Sequence, residues 1–500
     1  MRVGLLAAAP LTPWQHAVVE DLKQLHASML PLEPASASTQ TVRALELDFI
    51  LSFAPLEQSR LLAGAARWGV WQYFFGDWQR YRGESGGFFE IVDDERVAIA
   101  LLAQLQSDAD MIRILQQGCI RSHPCLPSVT RARLEQRCMH WPRQVCLALA
   151  DGATQPLTAA LARTTARARS RAALGTRLGF VIRACLRTAR QLTRDLLRHD
   201  QWSIGLIEAP IEALLATPQP SVTRWLRRPA RHEFFADPFG IVHEGKLTVF
   251  CEYLDQRDRR GGRIFAFEAD GAAPAREVDI GPAVHRSYPY LLQHEGRLYC
   301  IPESEAADEV VLYEAESFPE RWRARATLFA GRKLVDVTPF QYENRWWLAA
   351  SVPAGAGAEC ELHLFYADQL TGPWRAHAAN PVKVDVRSAR PAGTPFWKDG
   401  VLYRPAQDCS RHYGGRVVIN RVRKLTERSF EEEPCASVEP PQSGLYRAGL
   451  HTLSAAGAVT LVDAKRKLFV PREFRVALGG LFKSRVRATI DTTTSARSRP

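Results

Sequence analysis

The chain has 500 residues, too many for one ordinary hydrophobic core, and 46% of them are apolar, so we expect a globular protein of two or three domains. The net charge of +11 is concentrated in residues 151–200, with ten arginines and three aspartates, and in residues 483–500, with five cations and one aspartate. Since the remaining charge is balanced, we expect no nucleic-acid-binding groove in a folded domain.

The cysteine pattern bears on compartment and metal binding. Ten cysteines are scattered through the chain without a Cys-x-x-Cys pair or a zinc-like Cys/His spacing. This predicts free thiols in a reducing cytoplasm and no metal site. The apolar start, Arg2–Ala8, is interpreted as a first β-strand rather than a signal peptide, because a helical pattern follows it.

Residues 1–150 alternate between strand and helix patterns, which predicts an open, Rossmann-like α/β sheet. The predicted strands and helices are, in order, Arg2–Ala8, helix Pro13–Ala27 with Thr12 as its N-cap, Leu47–Phe53, helix Leu56–Ala66 and Trp68–Phe74. The first strand is followed by Ala-Ala-Ala-Pro instead of the glycine fingerprint of dinucleotide-binding domains. No cofactor is therefore predicted.

The segment Gly69–Gly83, GVWQYFFGDWQRYRG, resembles the catalytic segment of the formyltransferase family, which includes methionyl-tRNA and sugar-nucleotide formyltransferases. Its ending, Tyr81-Arg82-Gly83, matches the family pattern at the right spacing. The resemblance also implies a hairpin over Phe88–Val92 and Val97–Leu102. It places the family's catalytic Asn, His and Asp at Gln72, Phe74 and Asp110. A phenyl ring can neither transfer a proton nor hydrogen-bond an oxyanion, so we expect a formyltransferase-type fold with a degenerate site.

Residues 151–200 are predicted to form a basic helical linker. Apolar residues from Leu174 to Leu196 recur at helical spacing, with arginines among them. Two interpretations remain open. In the first, the apolar face packs on a domain and the arginines face water. In the second, residues 174–198 lie on an anionic membrane surface.

Residues 201–470 contain a repeated phrase built around a proline. The four prolines, Pro238, Pro289, Pro339 and Pro395, are 51, 50 and 56 residues apart, and a fainter fifth copy ends at His451. A period near 50 residues made of short strands predicts a five-bladed β-propeller. A turn residue precedes the next apolar strand in each of the first four copies, namely Gly245, Gly296, Asn344 and Gly400.

Polar residues recur at the same offset within these repeats. The position seven residues after each turn residue is occupied by Glu252, Glu303, Ser351 and Gln407. Equal offsets along strands place side chains on equivalent faces, so these residues are expected to form a ring about the axis, near Asp237 and Asp336. We predict a polar central site with at least one raised carboxyl pKa. The alternative, that these acids only stabilise turns, remains open.

The phrases FFADPFGIVHEGKLTVFCEYLD, SYPYLLQHEGRLYCIPESEAADEVVLYEA and YRPAQDCSRHYGG are similar to the N-terminal domain of glucosamine inositolphosphorylceramide transferases and their bacterial relatives. That domain resembles the five-bladed fold of family 43 glycoside hydrolases. The resemblance implies that Asp237 is a catalytic base and Asp336 its supporting acid. The family's general acid falls on Gln407, which cannot protonate a leaving group, and Glu303 is the available substitute.

Two functions follow. The first is an enzyme of surface polysaccharide or glycolipid metabolism that breaks or transfers glycosidic bonds with Asp237, Glu303 and Asp336. The second is a non-catalytic glycan- or glycolipid-binding module with a pseudo-formyltransferase domain. Either would bind a sugar, glycan or lipid-linked sugar in the cytoplasm or at a membrane. The predicted substrate-binding residues are Glu252, Tyr288, Gln407, Asp408, His412, Tyr413 and His451. Residues 471–500 are predicted to be a partly disordered tail.

Overall fold

The computed structural model describes residues 1–8, 10–151, 161–166, 171, 173–217, 222–258, 260–271, 274–353 and 357–469. The predicted tail, 471–500, and part of the predicted linker lie outside the described residues. In the described ranges, a seven-stranded mixed sheet is followed by a long helix and five smaller sheets. No helix in these ranges is long and apolar enough to cross a membrane.

The N-terminal part is an α/β domain. Its strands are β1 (Arg2–Leu6), β2 (Ser28–Leu32), β3 (Phe49–Ser52), β4 (Val70–Phe75), β5 (Val97–Leu105), β6 (Met111–Arg121) and β7 (Leu161–Arg163). Its helices are α1 (Pro13–Lys23), α2 (Thr39–Arg43), α3 (Leu56–Arg60), α4 (Trp78–Tyr81), α5 (Phe88–Val92), α6 (Pro127–Cys138) and α7 (Trp141–Ala150). The sheet order is β2-β1-β3-β4-β5-β6-β7, in which the first four strands are parallel and the last three are added antiparallel.

The buried centre of this sheet follows from its apolar runs. On β3, Phe49 and Leu51 enter one core cluster while Ile50 enters the other, so both faces of the strand are buried. Thr12 caps α1 through a capping box with Gln15, as predicted.

The predicted first arm of the hairpin is wrong. Phe88–Val92 forms the short helix α5, and β5 forms its hairpin with the later strand β6. Phe-Phe-Glu-Ile-Val is apolar at all but one position, and so short a run suits a buried helical turn as well as a strand. Strand β2, whose sequence Ser-Met-Leu-Pro-Leu lacks alternation, was not predicted.

Helix α8 (Leu174–Leu197) packs on the α/β domain through the buried Ala184, through Phe180 and through arginines. Phe180 stacks on Phe88 at 4.7 Å between ring centroids. Three arginines of the helix, Arg183, Arg187 and Arg190, have guanidinium nitrogens 3.9, 4.0 and 3.3 Å from the carboxylate of Asp94. The large apolar side chains face solvent instead: Leu174, Leu178, Val181, Ile182, Leu186 and Leu192 are 42–82% exposed. The helix thus packs on the domain with Arg183 and Arg190 about half exposed, as in the first interpretation, but its large apolar side chains do not form the packed face.

The rest of the described chain forms a five-bladed β-propeller. In chain order its strands are β8 (Arg198–Ile207), β9 (Arg224–Trp225), β10 (Glu233–His243), β11 (Lys246–Asp255), β12 (Arg263–Glu268), β13 (Arg276–Glu277), β14 (Asp279–Ile280), β15 (Ser287–His294), β16 (Arg297–Glu303), β17 (Glu309–Ser317), β18 (Arg321–Ala330), β19 (Val335–Tyr342), β20 (Arg345–Ser351), β21 (Glu361–Ala367), β22 (Arg375–Ala376), β23 (Lys383–Val384), β24 (Phe396–Lys398), β25 (Val401–Asp408), β26 (Arg416–Leu425), β27 (Phe430–Val438), β28 (Gly449–Ala456) and β29 (Val459–Phe469).

Blades one to four are consecutive in sequence, and blade five closes the ring. The blades are β10–β13, β14–β18, β19–β23 and β24–β27, while the fifth sheet has the order β28-β29-β8-β9. Blade five thus pairs β29, the last described strand, with β8, the first strand of the propeller. This pairing closes the ring by hydrogen bonds between its two ends.

The predicted turns at the first hairpin of blades one to four are present. Each has two residues with positive φ: Glu244-Gly245, Glu295-Gly296, Glu343-Asn344 and Asp399-Gly400. Two left-handed residues are what a two-residue type I′ hairpin requires, and Gly or Asn at the second position adopts that geometry at low cost.

The α/β domain shares a core with blades three and four. Cys119, Cys138 and Trp141 pack in one cluster with Cys360, Val384, Val386 and Cys409 of the propeller. The Val386 amide donates to the Cys119 carbonyl at 2.9 Å. Arg137 lies 3.2 Å from the carboxylate of Glu361. The propeller is therefore held against one edge of the α/β sheet.

Candidate functional site

The first strand of four blades bulges where it lines the propeller axis. The register shifts between Ala236 and Phe239, Ser287 and Tyr290, Val335 and Thr338, and Leu450 and Leu453. Three bulged residues, Asp237, Tyr288 and Asp336, have φ of 51°, 43° and 52°. Left-handed conformations of such residues cost about 1–3 kcal/mol each, and clusters of them are found at functional sites.

The bulges correct the way in which the sequence repeats are aligned. Asp237, Tyr288 and Asp336 each lie seven residues before the first residue of the hairpin turn, at Glu244, Glu295 and Glu343 respectively. Alignment of the repeats on their prolines places Thr338, rather than Asp336, at the position equivalent to Asp237. The turn residues were the better reference, and this signal was present in the sequence.

Glu303, Asp336 and Gln407 meet at the axis. A carboxylate oxygen of Glu303 accepts a hydrogen bond from the Asp336 amide at 3.0 Å, and the Gln407 side-chain amide donates to the Asp336 carboxylate at 3.0 Å. Arg390 makes a bidentate contact with Asp336, with nitrogen-to-oxygen distances of 2.5 and 3.2 Å. Blades two, three and four are thus connected through one buried residue, Asp336. Arg390 was not predicted, because it precedes the strand of its blade and has no counterpart in the other repeats.

Asp237 lies in the same cluster beside residues of blade five. The Thr452 hydroxyl donates to its carboxylate at 2.9 Å, and Nε2 of His451 is 3.5 Å from the same oxygen. Nδ1 of His451 is 2.6 Å from the carboxylate of Asp463, which also accepts the backbone amides of Asp237, His451 and Thr452. Asp463 was missed by sequence reasoning, although a charge inside the apolar run of β29 was a usable signal.

Burial and mutual repulsion disturb the protonation of these acids. Burial, followed by the charge of Asp336, raises the pKa of Glu303 to about 8. Burial raises the pKa of Asp237 to about 6 against the opposing charge of His451, with Asp463 and Asp336 adding to the rise. For Glu252, burial and then the charges of Asp237 and Glu303 hold the pKa well above its usual range. These are the effects expected when carboxyl groups share a desolvated site.

The cluster therefore contains a proton donor and a proton acceptor at neutral pH. Glu303 keeps its proton below about pH 8, whereas Asp237 is mostly ionised above about pH 6. Asp336 forms an ion pair with Arg390 and is suited to orienting its neighbours. For His451, burial opposes protonation, but the charges of Asp463 and Asp237 prevail and raise its pKa. Asp237, His451 and Asp463 offer ligand atoms within 4.8 Å of one another, although backbone amides already bond both oxygens of Asp463.

The other predicted binding residues are divided between the axis and its surroundings. Glu252 belongs to the charge cluster, with Nε2 of His285 3.9 Å from its carboxylate. Tyr288 is 1% exposed, and its hydroxyl oxygen bonds Thr338 and accepts the Gly393 amide, so it joins three blades rather than facing an opening.

The remaining predicted binding residues lie on blade four. Asp408 turns away from the axis and pairs with Arg416 at 2.8 Å. His412 lines a cleft outside the axis. Tyr413 lies between that cleft and the axis, because it lines the cleft while its ring centroid is 5.3 Å from that of His451.

In the α/β domain, the residues at the formyltransferase positions are engaged in packing and pairing. Phe74 is 6% exposed and packs on Trp78 at 5.1 Å between ring centroids. The Gln72 side chain donates to the Ala54 carbonyl at 3.2 Å, and Asp110 pairs with Arg82 at 2.7 Å.

Residues 216–445 match the family described as glucosamine inositolphosphorylceramide transferase 1, N-terminal. The glucosamine inositolphosphorylceramide transferase 1 of Oryza sativa subsp. japonica is 32% identical over 248 residues, which are 47% of this chain and 33% of that protein. The protein of the same name from Arabidopsis thaliana is 31% identical over 261 residues, 49% of this chain and 34% of its own length. The chain thus spans about a third of the length of the curated relatives it matches.

Among solved structures, the family 117 glycoside hydrolase Zg3597 of Zobellia galactanivorans is similar over 54% of this chain and 91% of its own, at 13% identity and a TM-score of 0.35. The GH43_1 enzyme of Xanthomonas citri complexed with xylotriose is similar over 51% and 92%, at 12% identity and a TM-score of 0.34.

Proposed function

We propose that the propeller axis binds a sugar-bearing substrate of surface polysaccharide or glycolipid metabolism and acts on its glycosidic bond by hydrolysis or transfer. The family match over residues 216–445 supports a carbohydrate-related role. The observation that carries the proposal is the pairing, in one buried cluster, of Glu303 with a pKa of about 8 and Asp237 with a pKa of about 6. Cleavage of a glycosidic bond needs one carboxylic acid to protonate the leaving oxygen and one carboxylate to activate or replace the attacking group.

The roles follow from the surroundings of each group. Glu303 acts as the acid, because burial and the charge of Asp336 keep it protonated near neutrality. Asp237 acts as the base or nucleophile. Asp336, paired with Arg390, fixes the position of Gln407 and supplies the negative charge that raises the pKa of Glu303.

The test combines a glycan array with measurement of product release from each glycan that binds. We expect Asp237→Asn and Glu303→Gln to abolish release while both variants stay folded, with melting temperatures no lower than that of the wild type. Glu90→Gln is the matched control, because Glu90 is a buried glutamate with a pKa raised to about 7, but lies in the α/β domain. Release that persists in both axial variants would refute the assignment.

A second candidate is a glycan- or glycolipid-binding module without turnover. Two observations favour it: Gln407 occupies the expected position of the acid, and Asp237 and Asp336 are only 6% and 3% exposed. Binding of an array glycan without release of product, and loss of that binding in Asp237→Asn, would decide for this candidate.

For the N-terminal domain we propose a formyltransferase-like fold that transfers no formyl group. The supporting observation is the burial of Phe74 against Trp78, which leaves no proton-transferring group at that position. A formyl-folate donor incubated with amino sugars and the purified protein provides the test, and formation of a formylated product would refute it.

We also propose that α8 lies on an anionic membrane surface, on its cytoplasmic side. The support is an apolar stripe, defined as Leu174, Leu178, Val181, Ile182, Leu186 and Leu192, that faces solvent beside the exposed Arg177, Arg183 and Arg190. Burial of such a stripe among acyl chains, with arginines at the headgroups, is typical of interfacial helices. Co-sedimentation with anionic but not neutral liposomes, reduced by salt, is the expected result. Equal binding to both would refute it.

A further inference from the structure

A cleft of about 530 Å³ lies where the α/β domain, helix α8 and the propeller meet. We call it the junction cleft. It is lined by Arg96, Arg121 and Arg133 of the α/β domain, Arg187 and Arg190 of α8, and Arg411 and Lys465 of the propeller. Its volume is in the range of small-ligand sites. None of these residues belongs to the axial cluster described above.

The lining has a large excess of positive charge. Seven arginine and lysine side chains face three acids, Asp94, Asp200 and Glu359. Arg187 and Arg190 share Asp94, Lys465 lies 2.7 Å from Asp200, and Arg121 pairs with Glu359. No carboxylate of the described residues lies within ion-pair distance of Arg96, Arg133 or Arg411. Three guanidinium groups from two domains thus have no ion-pair partner among the described residues at one cleft.

The protonation of neighbouring groups reflects the same positive field. Burial, Arg133 and Arg187 lower the pKa of His123, and burial with Lys465 lowers that of His412 to about 4. Burial and the charges of Arg137 and Arg121 lower the pKa of Arg133 itself. Groups on three separate elements therefore experience repulsion that a bound anion would relieve.

We propose that the junction cleft binds a phosphate-bearing ligand through Arg96, Arg133 and Arg411. Guanidinium groups bond phosphate oxygens in a bidentate manner, and a phosphate carries nearly two negative charges at neutral pH. A single carboxylate would leave most of the excess charge uncompensated. The proposal goes beyond the sugar site at the axis and does not depend on it.

The position of Tyr413 connects this cleft to the axis. Its backbone carbonyl accepts from Lys465 at 2.6 Å, while the Arg390 guanidinium lies 5.1 Å from its ring centroid. A phosphorylated sugar held by its phosphate in the cleft has its ring next to Tyr413. On the opposite side, Arg187 and Arg190 belong to the helix that carries the apolar stripe, so a lipid headgroup reaches the same cleft from a membrane.

The ligand chemistry is tested on the full chain with two probes. Isothermal titration calorimetry with inorganic pyrophosphate measures a soluble phosphate ligand, and co-sedimentation with vesicles of phosphatidylcholine containing phosphatidic acid measures a lipid headgroup. We expect the double variant Arg133→Gln, Arg411→Gln to weaken binding of at least one probe by about tenfold or more. Arg321→Gln, an exposed arginine on the outer strand β18 of blade two, is the matched control and should bind both probes as the wild type does.

The outcomes distinguish a soluble phosphate ligand from a lipid headgroup, and they distinguish failure of the proposal from failure of the variant to fold. Pyrophosphate binding lost in the double variant identifies a soluble phosphate compound, whereas loss of vesicle binding alone identifies a headgroup. We expect the melting temperature to be maintained or raised, since removing Arg133 relieves its repulsion by Arg121 and Arg137. If the double variant does not fold, the exposed Arg96→Gln repeats the test. Binding of neither probe by the wild type, or equal binding by wild type and variant, would overturn the proposal. Glycan binding is a separate readout, so either proposal can fail while the other stands.

Discussion

Replacement of Glu303 by glutamine tests the electrostatics of the propeller axis directly. Glutamine has the shape of a protonated glutamate, and its carbonyl oxygen can still accept the hydrogen bond from the Asp336 amide, which is 3.0 Å long in the wild type. The substitution therefore removes the negative charge and little else. The affected quantity is the free energy of unfolding as a function of pH.

The sign and size of the change in the free energy of unfolding follow from the pKa of Glu303, which rises from 4.5 to about 8 on folding. The folded protein binds this proton more tightly than the unfolded chain does. The stabilisation is complete below about pH 4.5 and is lost as the pH rises to about 8. At 1.36 kcal/mol per pH unit, the raised pKa corresponds to as much as about 5 kcal/mol. We expect Glu303→Gln to be more stable than the wild type by less than about 1 kcal/mol at pH 5 and by up to about 5 kcal/mol at pH 8.

Urea denaturation at pH 5, 6, 7 and 8, followed by tryptophan fluorescence, measures this difference. Glu432→Gln is the matched control, since Glu432 is equally buried in blade four but pairs with Arg404 and Lys383. Burial opposes its ionisation, yet those two charges prevail and lower its pKa. This control should be less stable than the wild type by about 3–5 kcal/mol at neutral pH, because it leaves buried cations without their partner. If Glu303→Gln is also less stable at pH 8, the assignment of a raised pKa is wrong.

Three further outcomes are expected. Arg390→Gln leaves the buried Asp336 without its cation, so we expect a loss of about 3–5 kcal/mol in urea denaturation, and an unchanged midpoint would contradict the axial ion pair. Ile182→Glu should reduce co-sedimentation with anionic liposomes. The melting temperature should change little, because the Ile182 side chain is 50% exposed. A large drop in melting temperature would show that another part of the protein covers Ile182. Phe74→His should yield no formyl transfer in a folate-release assay, since Gln72 still replaces the family's asparagine, and measurable transfer would contradict a degenerate site.

Several features were determined by local sequence. The five-bladed architecture followed from the strand-and-turn repeats. A type I′ turn needs left-handed residues wherever it occurs, and the apolar runs on either side of such a turn must be buried. The capping of α1 by Thr12 and the buried strand β3 were predictable for the same local reasons. The seven-residue offset from the turns located Glu252, Glu303 and Gln407, because alternation along a strand is a property of the backbone.

Other features were decided only by tertiary packing. Arg390 and Asp463 reach the axis because neighbouring blades converge there, and nothing in the local sequence of Arg390 distinguishes it from a surface residue. The orientation of α8 involves Asp94, which is some ninety residues away and lies within 3.3–4.0 Å of three arginines of the helix, and Phe88, on which Phe180 stacks. A helical pattern states which residues share a face, but only the charges and surfaces around the helix determine which face turns inward. For the same reason, the junction cleft exists only where three separate parts of the chain bring their arginines together.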